Sequence, residues 1–234
     1  MLEVLNVFKS YNYKNILVDA NLRIHNGEIV GLIGKNGVGK TTLIKLITGI
    51  EKVDAGDIKI NGNSVNTEVI DAKYSIGFVT DVPNLYHLLT GKEYLEFIAD
   101  MWKLDKETRE HNIRYYLNIL HLKELENQYI HTYSLGTKQK LALAGALIHN
   151  PKLLILDEPL TGVDMEIAKE IINIIKDFAQ NGGTVLFTSH IFQIINSLST
   201  RIVSLSNNKI NECIKQDNEP LKEEELVKFM TESS

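Results

Sequence analysis

The chain has 234 residues, 44% hydrophobic and 24% charged, a balance ordinary for a globular protein with room for one good core or a core plus a lobe. Its net charge of −5 argues against a nucleic-acid surface as the main partner, and the lone Cys213, which reads as a small strand hydrophobe in a reducing cytoplasm, excludes an internal disulfide. No apolar run is long enough to cross a membrane, the best being Leu141 to Ile148, and Met1 to Asn6 has no leader pattern; any membrane role is expected to come through a partner.

Leu2 to Phe8 alternates as a strand, and Ile16 to Ile24 reads as a second. Asn26-Gly27 is a turn signal, so the early strands are expected to form a hairpin-rich antiparallel sheet. Residues 28–33 read as a buried strand. Residues 40–48 follow with helical spacing at Leu43, Ile44 and Ile47, and Gly49 can end that helix. Asp57 to Asn61 and Ile76 to Val79 are short strands. From Pro83 to about Asn150 the texture becomes helical, with Gly91 to Met101 and Lys106 to Leu120 periodic at three and four. Leu153 to Leu156, Val185 to Phe187 and Ile202 to Leu205 are apolar on both faces, as in central parallel strands. Helices Met165 to Ala179 and Ile191 to Leu198 connect them in β-α-β-α-β order. The expectation is an α/β doubly wound core with a parallel sheet, an N-terminal antiparallel β subdomain and an inserted helical lobe at about 82–150. One domain would cover 1–215. The remaining 216–234 would form a tail, amphipathic and helical from Glu219.

Between strand and helix lies Gly34-Lys35-Asn36-Gly37-Val38-Gly39-Lys40-Thr41. The complete G-x-x-x-x-G-K-[ST] pattern binds a triphosphate. Glycines let backbone N–H groups turn onto the phosphates, Lys40 places a charge between the β- and γ-phosphates, and Thr41 can ligate Mg²⁺. The helix start beneath adds a partial positive charge. Leu153 to Leu156 ends in Asp157-Glu158, at the carboxyl end of a strand where α/β sheets hold ligands. Asp157 can hold Mg²⁺ through water, and Glu158 suits a general base. Upstream, Ser134 can cap the helix running to Ile148, whose exposed N–H groups form an anion site. His190 also follows a strand.

In this order the motifs resemble the ATP-binding subunits of ABC transporters over about residues 2–212, which identifies the P-loop NTPase core. The resemblance implies that Gly34, Asn36, Gly37, Gly39, Lys40, Thr41 and Thr42 hold the triphosphate and Mg²⁺. Tyr11 aligns with the aromatic that stacks on adenine, with Tyr13 as fallback. Glu158 matches the catalytic carboxylate, His190 the histidine that touches the γ-phosphate, and Thr161 to Asp164 a loop signalling between subunits. Two positions depart from the pattern. Asp81 stands where a Gln usually reaches Mg²⁺ and the attacking water; an Asp there can still ligate the metal. Tyr133-Ser134-Leu135-Gly136-Thr137 replaces Leu-Ser-Gly-Gly-Gln. Ser134 and Gly136, the positions offering a hydroxyl and close backbone approach to a phosphate, are kept, and Leu135 is expected at negative φ.

The resemblance further implies a head-to-tail pair of ATPase subunits, as homodimer or heterodimer, with Ser134 acting in trans on the partner's ATP. It implies a separate membrane-embedded permease and a place on the inner face of the membrane, with no nucleic-acid partner. The segments Ile76 to Tyr86 and Leu89 to Phe97 look like bacterial exporters of drugs and antimicrobial peptides. The alternative is a non-transport ABC-type ATPase of DNA maintenance or translation.

Overall fold

Two long strands open the chain: β1 (Leu2–Tyr11) and β2 (Lys14–Ile24) pair antiparallel, Leu2 opposite Ile24 and Tyr11 opposite Lys14. The turn between them is Asn12-Tyr13, both residues at positive φ, 48° and 64°. That handedness matches the twist of a two-residue hairpin. The expected hairpin turn, Asn26-Gly27, instead carries the chain out of this sheet into β3 (Ile29–Ile33). Asn-Gly is the stronger local signal, but the hairpin closes where strand pairing demands it, at a tyrosine that is an unusual left-handed residue. The computed structural model describes residues 1–213; the expected tail helix from Glu219 lies outside the described residues.

After β3 come α1 (Lys40–Ile47), β4 (Ala55–Ile60), β5 (Asn63–Ser64), α2 (Val69–Tyr74) and β6 (Ile76–Val79). The helical stretch holds α3 (Gly91–Met101), α4 (Lys106–Ile119) and α5 (Leu135–Leu147). The chain then alternates β7 (Leu153–Leu156), α6 (Met165–Gln180), β8 (Thr184–Thr188), α7 (Phe192–Leu198), β9 (Arg201–Ser206) and β10 (Lys209–Cys213). Four of the helices start on side-chain caps. Thr90 and Glu93 form a reciprocal capping box on α3, and Asp105, Ser134 and Asp164 cap α4, α5 and α6.

Two sheets result. One is antiparallel, in the order β2-β1-β4-β5; the other runs β10-β9-β3-β8-β7-β6, parallel except for β10. The parallel strands are apolar throughout because the sheet feeds two cores. Val30, Leu32, Leu153, Ile155 and Leu186 face α1 and the antiparallel sheet. Ile33, Leu154, Leu156, Val185 and Phe187 face α3 to α7. Each such fully buried side chain contributes about 1.5–3 kcal/mol, so this central layer fixes where the strand tips stand. Sequence pattern did not foretell α2 or β5, and of β10 it gave only Cys213 as a strand residue. In α2 only Ala72 is buried, so no apolar stripe marks it.

Candidate active site

Residues 34–39 leave β3, cross the sheet tip and enter α1. A Cβ on Gly39 would lie 2.7 Å from Ile16 Cγ2, and one on Gly34 2.6 Å from the Leu205 carbonyl oxygen, so the loop presses onto the sheet only without side chains there. Lys40 folds back across the loop, donating from Nζ to the carbonyls of Gly34 (2.7 Å) and Lys35 (3.3 Å). Burial pushes its ammonium below the usual lysine range, while the Glu158 and Asp157 carboxylates pull it back up. Val38 packs its side chain against the core under the antiparallel sheet and offers the loop only its backbone.

A cleft of about 310 Å³ opens beside the loop. From the loop side it is lined by Asn36, Gly37, Gly39, Lys40, Thr41 and Thr42; from the tips of β6, β7 and β8 by Asp81, Asp157, Glu158 and His190. Tyr11 and Ile16 also line it. The Tyr11 hydroxyl donates to Glu51, and Lys9 Nζ lies 5.2 Å from its ring centroid. Partial burial and the Glu51 carboxylate push the phenol above its ordinary range. Tyr13 is fully exposed on the hairpin tip and does not line the cleft.

The two acids are held differently. Thr188 Oγ1 accepts from the Glu158 backbone N–H (2.9 Å) and donates to Asp157 Oδ1 (2.7 Å), tying the tips of β7 and β8 together. Glu158 sits at φ 51°. Its Oε2 accepts from the His190 N–H and the Thr161 hydroxyl, both at 3.3 Å. Its Oε1 is buried and takes no hydrogen bond of good geometry, although His190 Nε2 stands 3.0 Å away. Asp81 is exposed at the cleft edge, and its Oδ1 accepts from the Val82 N–H at 2.7 Å.

Ser134 and Gly136 do not line this cleft. Ser134 is exposed at the start of α5, its Oγ accepting from the Thr137 N–H at 3.2 Å. Leu135 lies in the helix outside the positive-φ residues. Gly136 is buried: a Cβ there would stand 2.6 Å from Ile167 Cδ1 on α6, so packing inside the protomer already requires this glycine. Thr188 and Gln139 were missed. Both are polar residues whose partners are remote in sequence, and neither sits in a spacing pattern.

Thr41, Asp157 and Asp81 bring hydroxyl and carboxylate oxygens to one cleft, a donor set that suits Mg²⁺. Among the described residues no three His, Cys, Asp or Glu side chains cluster to cage an ion alone. An ion shared with phosphate oxygens and water fits that arrangement.

Fold and cleft together define a P-loop nucleoside triphosphatase. The family described as "ABC transporter" matches residues 17–161. Among relatives, the uncharacterized ABC transporter ATP-binding protein YdbJ of Bacillus subtilis is 36% identical over 90% of this chain and 68% of its own length. The linearmycin resistance ATP-binding protein LnrL of that organism is 35% identical over 86% of this chain and 65% of its own. Its SkfA peptide export ATP-binding protein SkfE is 31% identical over 90% and 87%. A solved ATP-binding subunit of an ABC transporter superposes with a TM-score of 0.90 at 27% identity, covering 98% of this chain and 99% of its own. The dimeric post-hydrolysis cassette MJ0796, bound to ADP and Pi, gives 0.81 at 26% identity over 91% and 98%. The chain belongs to the ABC transporter family, and it is an ATP-binding, ATP-hydrolysing subunit. These relatives favour transport over the DNA-maintenance or translation alternative.

Proposed function

We propose that this chain is half of a head-to-tail ATPase pair that drives a separate permease, moving an amphipathic peptide or drug outward. One observation carries the pairing. The cleft assembles Lys40, Thr41, Glu158 and His190, while the exposed capping hydroxyl of Ser134 lies outside it. A triphosphate in the cleft keeps one side open to a second surface, and the start of α5 from another copy has the hydroxyl and N–H groups to cover it. ATP then holds two subunits together, and hydrolysis releases them.

In the cleft, loop N–H groups and Lys40 orient the phosphates. Glu158 Oε1 takes the proton of the attacking water, and His190 stands beside the same carboxylate to contact the γ-phosphate. Thr41 and Asp157, with Asp81 at the edge, would hold Mg²⁺, which would neutralise phosphate charge when bound. Tyr11 presents its ring to the adenine.

No helix among the described residues is long and apolar enough to cross a membrane. Permease contact is supported by exposed apolar side chains near β6 and α3. Val82, Tyr86 and Met101 are 69%, 56% and 64% exposed, beside a groove floored by Trp102 and His149. Exposed apolar side chains of this kind suit docking to a protein partner. Outward transport of a peptide or drug is supported by the relatives described as peptide-export and linearmycin-resistance ATP-binding proteins.

The deciding experiment mixes Ser134→Ala with Glu158→Gln. Each variant alone hydrolyses poorly. In a mixed head-to-tail dimer one of the two sites is whole, so freely exchanging subunits recover roughly a quarter of wild-type activity. No recovery, or full activity from a monomer, sinks the shared site. Permease pairing is tested by co-purification from membranes.

A further inference from the structure

Gln139 lies on the inner side of α5 and is 1% exposed. Its Nε2 donates to the Asp81 backbone carbonyl at 2.9 Å, across 58 positions of sequence. Among the described residues no other hydrogen bond ties Asp81 to another element. The other side of the amide is unsatisfied: Oε1 is buried with no partner. A buried amide with one of its ends unpaired is a poor choice for packing, where a methionine of similar length would serve. What the glutamine adds is the tether to Asp81.

The two ends of that tether matter for the reaction. Asp81 lines the protomer's own cleft. Ser134 caps the same helix five residues before Gln139, about 7.5 Å along the axis. Over this distance α5 is one unbroken helix, packed against β6 and α6.

We infer that Gln139 is a positioning residue that ties the start of α5 to Asp81. A nucleotide in the partner's cleft, engaged by Ser134, is thereby felt at Asp81 in the protomer's own cleft. This rests on reading the cleft and the α5 start as complementary halves of a shared ATP site.

The test measures ATP hydrolysis by the full chain for wild type, Gln139→Met, Asp81→Ala and the double variant. Gln139→Met removes the donor and keeps the bulk. Its kcat falls about tenfold while KM for ATP stays within about twofold. Asp81→Ala also lowers kcat, and the double variant falls no further than the worse single one. Unchanged kcat in either single variant, or losses that multiply, overturns the tether. Gln139→Leu gives a second measurement that does not depend on Gln139→Met folding. It also removes the donor, and its kcat falls to the same level. A wild-type kcat in Gln139→Leu overturns the inference. A wild-type chain that fails to hydrolyse ATP refutes the underlying site instead, a result readable before any variant is made.

Discussion

The cleft and the start of α5 are built on opposite plans. In the cleft the two central acids are pinned from far away, Asp157 by Thr188 and Glu158 by His190, while Lys40 is held by the carbonyls of its own loop. At the start of α5 the Ser134 side chain has, among the described residues, only Thr137, three residues on. The first region is organised by the tertiary fold before any ligand arrives. The second is a local helix cap facing outward, with chemistry that gains a purpose when another surface meets it. A site divided this way can report whether two subunits are together, which a self-contained pocket cannot.

Four measurements break or sharpen that contrast. The largest effect belongs to Glu158→Gln. Glutamine tolerates the left-handed backbone as glutamate does, so the swap isolates the chemistry. Phosphate release falls about a thousandfold while ATP still binds, and the variant accumulates as a dimer in sedimentation. Rapid turnover would remove the assigned base. Next, Lys40→Ala weakens ATP binding about a hundredfold by calorimetry, because a charge-assisted contact at the phosphates is gone. Unchanged affinity would move the triphosphate elsewhere.

The third concerns a residue outside both regions. Burial pushes His149 down to about 4, with Trp102 stacked 4.0 Å away and the Ile76 carbonyl within 3.0 Å of Nε2. The folded pKa lies below the unfolded value of 6.5. The neutral ring therefore stabilises the fold above that value, and the contribution is lost as pH falls from about 6.5 to about 4. The loss is at most about 3 kcal/mol. Urea titrations at both pH limits read it, and His149→Gln flattens the difference. If wild type and variant lose equal stability over that range, the imidazole is not responsible. The smallest effect is Ser134→Ala. It lowers kcat about tenfold and leaves ATP binding to the separated subunit unchanged. Weakened binding by the lone subunit would place Ser134 in its own cleft.

Much of this was legible in the sequence. Residues 34–41 and the run into Asp157-Glu158 carry their chemistry in local spacing, periodicity placed α3 at Gly91–Met101, and a continuous apolar run placed β7 at Leu153–Leu156. What escaped depends on contacts between distant segments. The hairpin turn went to Asn26-Gly27 because dipeptide chemistry cannot see that β1 and β2 pair around Tyr13. Gly136 was read toward a phosphate, and its closest need is Ile167 on a neighbouring helix. Gln139 and Thr188 have no motif of their own, since each matters only through a partner across the fold.

Thr188 also decides how adjacent acids divide their labour. Its hydroxyl accepts from the Glu158 amide and donates to Asp157, which occupies an oxygen of that side chain. Among the described residues Glu158 Oε1 takes no hydrogen bond of good geometry, and its ionisable neighbour is His190, with Nε2 3.0 Å away. A threonine on the next strand therefore ties the side chain of Asp157, and leaves that of Glu158 to Thr161 and His190. Valine there would erase the distinction, and serine would preserve it.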